Sequence, residues 1–233
     1  MPSRKAVWKR CRARRRPATA DVAVALVLAL AGGLAVSGCA RIIDTATPHP
    51  APRVGPILAD QVGDLLSKRA QDDKDGNRFV TVVPDSCAGA AREKDAPFIV
   101  DHHPEATDGG HWVAAEAQPV YVEEIVAVYA ADFDARSAIT GARSALEACR
   151  TPFTVTDMKG REYHFSMGVA GRGSPHSVIW SFRAADWACD NAFVAAHNAA
   201  IEITTCGSVG GYDVSALARD ALTLIDSLAN TKA

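Results

Sequence analysis

The chain has 233 residues, nearly half of them hydrophobic and 22% charged, which is the composition of a folded globular protein and excludes a disordered tail. Its net charge of −2 hides an asymmetry: eight of the 25 Lys and Arg residues lie before residue 39 (Arg4, Lys5, Lys9, Arg10, Arg12, Arg14, Arg15, Arg16) against a single acid, Asp21. The remainder keeps 17 basic and 26 acidic side chains, a net of −9, and this argues against a nucleic-acid partner, whose phosphates require clustered cations.

After the basic head, Val22 to Val36 is almost wholly apolar but falls short of the ~20 residues a membrane-spanning helix needs. It closes on Leu34-Ala35-Val36-Ser37-Gly38-Cys39. This order of basic head, apolar middle and small residues before a cysteine resembles the lipobox of bacterial lipoproteins. The resemblance implies that residues 1–38 are a signal peptide and that Cys39 carries a diacylglycerol holding the chain on the outer face of the cytoplasmic membrane, with the membrane as a partner through that lipid. Arg14-Arg15-Arg16 leaves the export route open between the general and twin-arginine systems. Residues 39–55, with Pro48, Pro50 and Pro52, read as an extended tether, and 56–233 as one domain.

Within that domain Ile57, Leu58, Val62, Leu65 and Leu66 recur at helical spacing and predict a helix over Ile57 to Ala70. The polar run from Gln71 to Asn77 predicts a loop, and Phe79 to Val83 a short strand. Between Cys87 and Pro119, Pro97, Pro104, Gly109 and Gly110 predict irregular surface structure. Val120 to Ala130 reads as a strand with Val120, Val122, Val126 and Val128 on one face and Glu124 as the exception. Asp134 is placed to cap a helix whose buried stripe is Ile139, Ala142, Leu146 and Cys149. Three strands are expected over Phe153–Asp157, Tyr163–Ala170 and Val178–Ala184, then a strand pair from Cys189 to Cys206 and a last helix from Asp213 to Ala229. This order predicts an α+β fold, a mainly antiparallel sheet covered by helices.

With Cys11 in the signal and Cys39 carrying lipid, four cysteines remain, and an even number in an exported chain predicts two disulfides. If His197-Asn198 is a two-residue hairpin loop, with Asn in the left-handed conformation, counting back sets Cys189 opposite Cys206 as a close, non-hydrogen-bonded pair. Cys87 then joins Cys149 by elimination. A four-cysteine metal site is the competing reading, but no Cys-x-x-Cys pair is present to nucleate it.

Cys87 and Cys149, Trp187 two residues before Cys189, and an Asn-containing turn before Cys206 together resemble the PknH-like sensor domain. This is the extracellular domain of a mycobacterial receptor serine/threonine kinase, found also on stand-alone lipoproteins. The resemblance implies an α+β domain with two disulfides and a cleft for an unidentified small-molecule or envelope ligand. It implies no catalytic residue, no cofactor and no phosphorylation activity, because no kinase portion is present.

Several residues could carry chemistry. His102, His103 and His111 lie near Asp101, Glu105 and Asp108 and form a candidate metal set, but their spacing matches no zinc motif, and a polar surface loop is the favoured reading. Trp112, Trp180 and Trp187 are candidate pocket residues, Trp180 being better placed as core, and Trp112 and Arg183 are the candidate ligand contacts. There is no Gly-x-Ser-x-Gly elbow for a serine hydrolase, and Gly171-Arg172-Gly173-Ser174-Pro175 reads as a hairpin turn. His164 and His197 are read as strand and turn residues without a special role. The expectation is a binding protein; the alternatives are a metal-dependent or hydrolytic envelope enzyme using the His-rich loop, and a lipid carrier.

Overall fold

The computed structural model describes residues 54–72, 77–114, 117–168, 173–210 and 212–230. Contacts divide the chain into Met1–His49 and Pro50–Ala233, and the description below concerns the second unit. The lipobox, Cys39 and the tether lie outside the described residues.

In chain order the elements are a 3-10 helix Ala59–Leu65, β1 Gln71–Asp72, β2 Phe79–Val83, a 3-10 turn Asp85–Cys87, α1 Ala88–Ala91, α2 Pro97–Val100, β3 Ala106–Ala114, β4 Val120–Val128, α3 Ala135–Ala148, β5 Phe153–Asp157, β6 Glu162–Met167, β7 Ser177–Arg183, β8 Ala188–Ala196, β9 Ala199–Gly207 and α4 Val214–Asn230. The strands make one antiparallel sheet in the order β1-β3-β4-β9-β8-β7-β6-β5-β2. The expected α+β fold with a helix-covered antiparallel sheet and two disulfides is the fold observed.

Helices cover both faces. On one, α3 and α1 pack with Ala127, Phe165, Trp180, Phe182, Phe193 and Ala195; on the other, α4 and the first 3-10 helix pack with Val122, Val126, Val194, Ile201 and Ile203. Strand alternation sends neighbouring residues to opposite cores, so all nine residues of β9 are buried. At the far end β5, β6 and β2 curl over the α3 face, and Phe79 meets the rings of Tyr163, Phe165 and Phe182 at 5.5, 5.9 and 6.4 Å.

Most expected elements are present within a residue or two, including the cap, where Asp134 accepts from the backbone N–H groups of Arg136 and Ser137 at 3.0 Å each. Three expected elements are corrected. The helix over Ile57–Ala70 is a 3-10 helix of half that length, with Leu66 already extended (φ −71°, ψ 145°). Its backbone is claimed by distant groups instead: Ile57 N–H donates to Asn198 Oδ1 at 2.9 Å and Ser67 N–H to Glu124 Oε2 at 2.8 Å. The region from Cys87 to Ala114, expected to be irregular, holds α1, α2 and β3: Pro97 sits at the start of α2, where a missing N–H costs nothing, and β3 pairs with β4 along its whole length. Last, Gln71 and Asp72, read as loop, pair with His111 and Gly110 of β3.

The hairpin register is as counted: Ala196 faces Ala199 and Cys189 faces Cys206, with a Cα separation of 4.2 Å typical of a non-hydrogen-bonded pair. Cys87 bonds Cys149, which ends α3 and points inward. The left-handed turn residue is His197 (φ 51°), not Asn198, whose side chain is committed elsewhere.

Candidate functional site

The curled end and the β3-β4-β9 part of the sheet enclose a cleft of about 380 Å³. Register explains its lining. His111 and Val113 of β3 lie opposite Glu123 and Tyr121 of β4, which lie opposite Thr204 and Cys206 of β9, so alternate residues of three adjacent strands reach one face. Phe79, Tyr163, Trp187, Glu93, Asn77 and Lys159 complete it from β2, β6 and the connecting segments.

Aromatic rings run along one side. Tyr121, half exposed, lies 5.9 Å from Trp187, Trp187 lies 6.2 Å from Tyr163, and Tyr163 lies edge-on to Phe79. The outer part of this row is held by polar contacts. Arg161 sits 4.7 Å above the Tyr163 ring and pairs with Asp186, while the Tyr163 hydroxyl and the Asn77 amide both donate to Asp157 Oδ2. Burial alone would raise the Asp157 carboxyl, but these two bonds and the N–H groups of Lys159 and Arg161 hold it below the usual value.

The inner end is acidic. Glu93 accepts from the N–H of Phe79 at 2.6 Å and returns its own N–H to the Phe79 carbonyl. Glu202, two residues from Thr204 on the same strand face, is fully buried, and burial first and the charge of Glu93 second push its carboxyl well above the usual range. The neutral acid is thereby favoured. Asn191, cross-strand from Thr204 and 1% exposed, has no protein hydrogen-bond partner for either amide atom; the same holds for Glu202 Oε2 and His111 Nδ1. Unpaired buried polar atoms are costly, about 1–3 kcal/mol each; of these residues His111 lines the cleft, while Asn191 and Glu202 neighbour its Thr204 within the sheet.

The candidate site residues are dispersed. His102 is exposed with its ring against Phe133, His103 is exposed beyond α2, and His111 faces the cleft from β3. Among the described residues no group of three or more His, Cys, Asp or Glu side chains is gathered to hold a metal, so the three histidines do not converge. Trp112 borders the cleft, but its indole belongs to the core under α4, donating to Glu124 at 3.0 Å with Arg69 4.5 Å above the ring. There it also borders a second cavity, between α4 and the segment after the first 3-10 helix. Arg183 lies outside the lining and binds Asp190 at 2.6 Å and the Cys189 carbonyl. Trp180 is core, donating to the Ala90 carbonyl, and Trp187 is the tryptophan that reaches the cleft. Tyr121, Glu93, Asn191 and Glu202 were not singled out from sequence; a lone Glu between Ile201 and Ile203 in an apolar strand was the available signal.

Among solved structures, the extracellular domain of PknH from Mycobacterium tuberculosis superposes with a TM-score of 0.58 at 19% identity, covering 75% of this chain and 98% of that one. The likeness is one of fold. CalU16 from Micromonospora echinospora aligns at 12% identity over 55% of this chain and 88% of its own, with a TM-score of 0.26, too low to carry an argument. No curated protein matches the sequence. The family model of the PknH-like extracellular domain matches residues 50–223, most of the chain and all of the sheet, and the chain therefore belongs to the PknH-like extracellular domain family.

Proposed function

We propose that this is an exported lipoprotein, anchored through Cys39 to the outer face of the cytoplasmic membrane, whose sensor-type domain binds a small molecule or envelope component in the cleft and acts by binding, not by turnover. The observation that carries the binding reading is the cleft itself. It is concave, of small-molecule size, and joins accessible aromatic faces to a few convergent polar groups. Membership of an extracellular-domain family supports export. The anchor rests on Val36-Ser37-Gly38-Cys39, and two acyl chains suffice for stable attachment. No helix among the described residues is long and apolar enough to cross a membrane.

Mass spectrometry of the amino-terminal peptide from the membrane fraction tests the anchor. The expected species begins at a diacylglyceryl-modified Cys39; an unmodified Met1 or a free Cys39 thiol overturns it. For the cleft, a thermal-shift screen with envelope extracts and small molecules is expected to yield a ligand that raises the melting temperature of the parent protein and fails to do so for Tyr121→Ala.

A further inference from the structure

We propose that the occupant of the cleft is a carbohydrate, an inference that rests on the reading of the cleft as the binding site. A sugar ring has two kinds of surface: a face of C–H groups, which packs on the electron-rich face of an aromatic ring, and an edge of hydroxyls, each both donor and acceptor. The cleft offers both. Tyr121 and Trp187 form a tilted platform (31° between planes), and the half-exposed Tyr121 leaves apolar area for a ligand to cover.

Against this platform stand groups of both hydrogen-bonding signs. Asn77 and Lys159 bring donors, Glu123 brings carboxylate acceptors, Thr204 brings a hydroxyl, and the His111 ring brings a buried nitrogen that no protein group satisfies. Other ligand classes fit less well. A phosphate or carboxylate needs convergent cations, whereas Arg78 is paired with Glu123 and Arg161 is paired with Asp186 over the Tyr163 ring. An acyl chain would strand Glu93 and Thr204 in an apolar contact. An organic cation would be drawn by Glu93 and Glu123 but would meet the ammonium of Lys159 among the same lining groups, and choline stands among the probes below to separate it from a sugar.

Saturation-transfer NMR on the full-length chain tests this. The probes are neutral oligosaccharides two to four units long built from glucose, mannose, galactose or N-acetylglucosamine, set beside choline, inorganic phosphate and decanoate. The expected result is transfer to the C–H protons of at least one oligosaccharide, with affinity falling at least tenfold in Trp187→Ala and in Tyr121→Ala and unchanged in Arg183→Ala, which lies outside the cleft. Tyr121→Ala removes an exposed side chain, so it keeps the test valid if Trp187→Ala unfolds. Absence of oligosaccharide binding overturns the carbohydrate assignment, and the binding reading survives if choline, phosphate or decanoate binds and Tyr121→Ala abolishes it. Oligosaccharide binding indifferent to both aromatic substitutions places the site elsewhere and overturns both readings.

Discussion

Two glutamates show how differently a buried acid can be used. Glu124 breaks an apolar row on β4 and looks misplaced in the sequence, yet its carboxylate takes the Trp112 indole N–H and the Ser67 N–H, tying β3 and the N-terminal segment to the centre of the sheet. Glu202, on the opposite face, has an oxygen without a partner and a raised carboxyl, with Glu93 and Tyr129 as its electrostatic neighbours. A raised carboxyl keeps a proton in the native state that the unfolded chain has already released, so the contribution of Glu202 to native stability is most favourable below the ordinary value of 4.5 and declines as pH rises from there toward the elevated value. Glu202→Gln fixes the neutral form. Urea unfolding between about pH 5 and 8 is expected to show a shallower decline for the variant and a higher midpoint than the parent at the alkaline end. Parallel pH profiles for the two proteins would contradict this account.

The β8–β9 hairpin shows what one turn residue does for a whole element. Asn198 was legible as a turn residue, but its role is to hold another segment. Its amide accepts from Ile57 N–H and donates to the carbonyls of Ile57 and Tyr129 at 2.8–2.9 Å, while Tyr129 N–H returns to the Asn198 carbonyl. His197, read as without a role, takes the left-handed conformation and contacts Asp226 of α4 at 2.9 Å. Asn198→Ala leaves three buried backbone groups unpaired and is expected to cost about 3 kcal/mol. The loss should appear as faster amide exchange around residues 57–66 before the hairpin itself opens. A midpoint within error of the parent's would mean that the segment is held by its apolar contacts alone.

At the scale of the molecule the two disulfides do different work. Cys189–Cys206 joins strands already paired along their length, across a sequence separation of 17, whereas Cys87–Cys149 spans 62 residues and fastens the turn before α1 to the end of α3. The chain-entropy model gives about 3 kcal/mol for the short loop and about 4 kcal/mol for the long one. Replacing both cysteines of a pair by Ser should therefore destabilise more at 87/149 than at 189/206, read as the difference in urea midpoint. The reverse order would show that strain or residual unfolded structure outweighs loop closure. Because Cys206 and Glu93 both line the cleft, and Glu93 lies two residues past the end of α1, each bridge also braces one of its walls.

What the sequence by itself determined was local or countable: alternation in β4, β6 and β7, the Asp134 cap, the apolar stripe of α4, and the cysteine pairing, which followed from a two-residue turn because strand register is an integer count. Only the tertiary structure decided the rest. β3 carries Gly109 and Gly110 and has weak local preference, but nine residues of pairing with β4 make it a strand. The N-terminal segment has a helical pattern, but Asn198 and Glu124 claim its backbone and shorten the helix. The cleft was hidden for the same reason. Its residues come from β2, β3, β4, β6, β9 and the loops between, and only the curl of the sheet brings Phe79 and Tyr163 across from Tyr121 and Thr204.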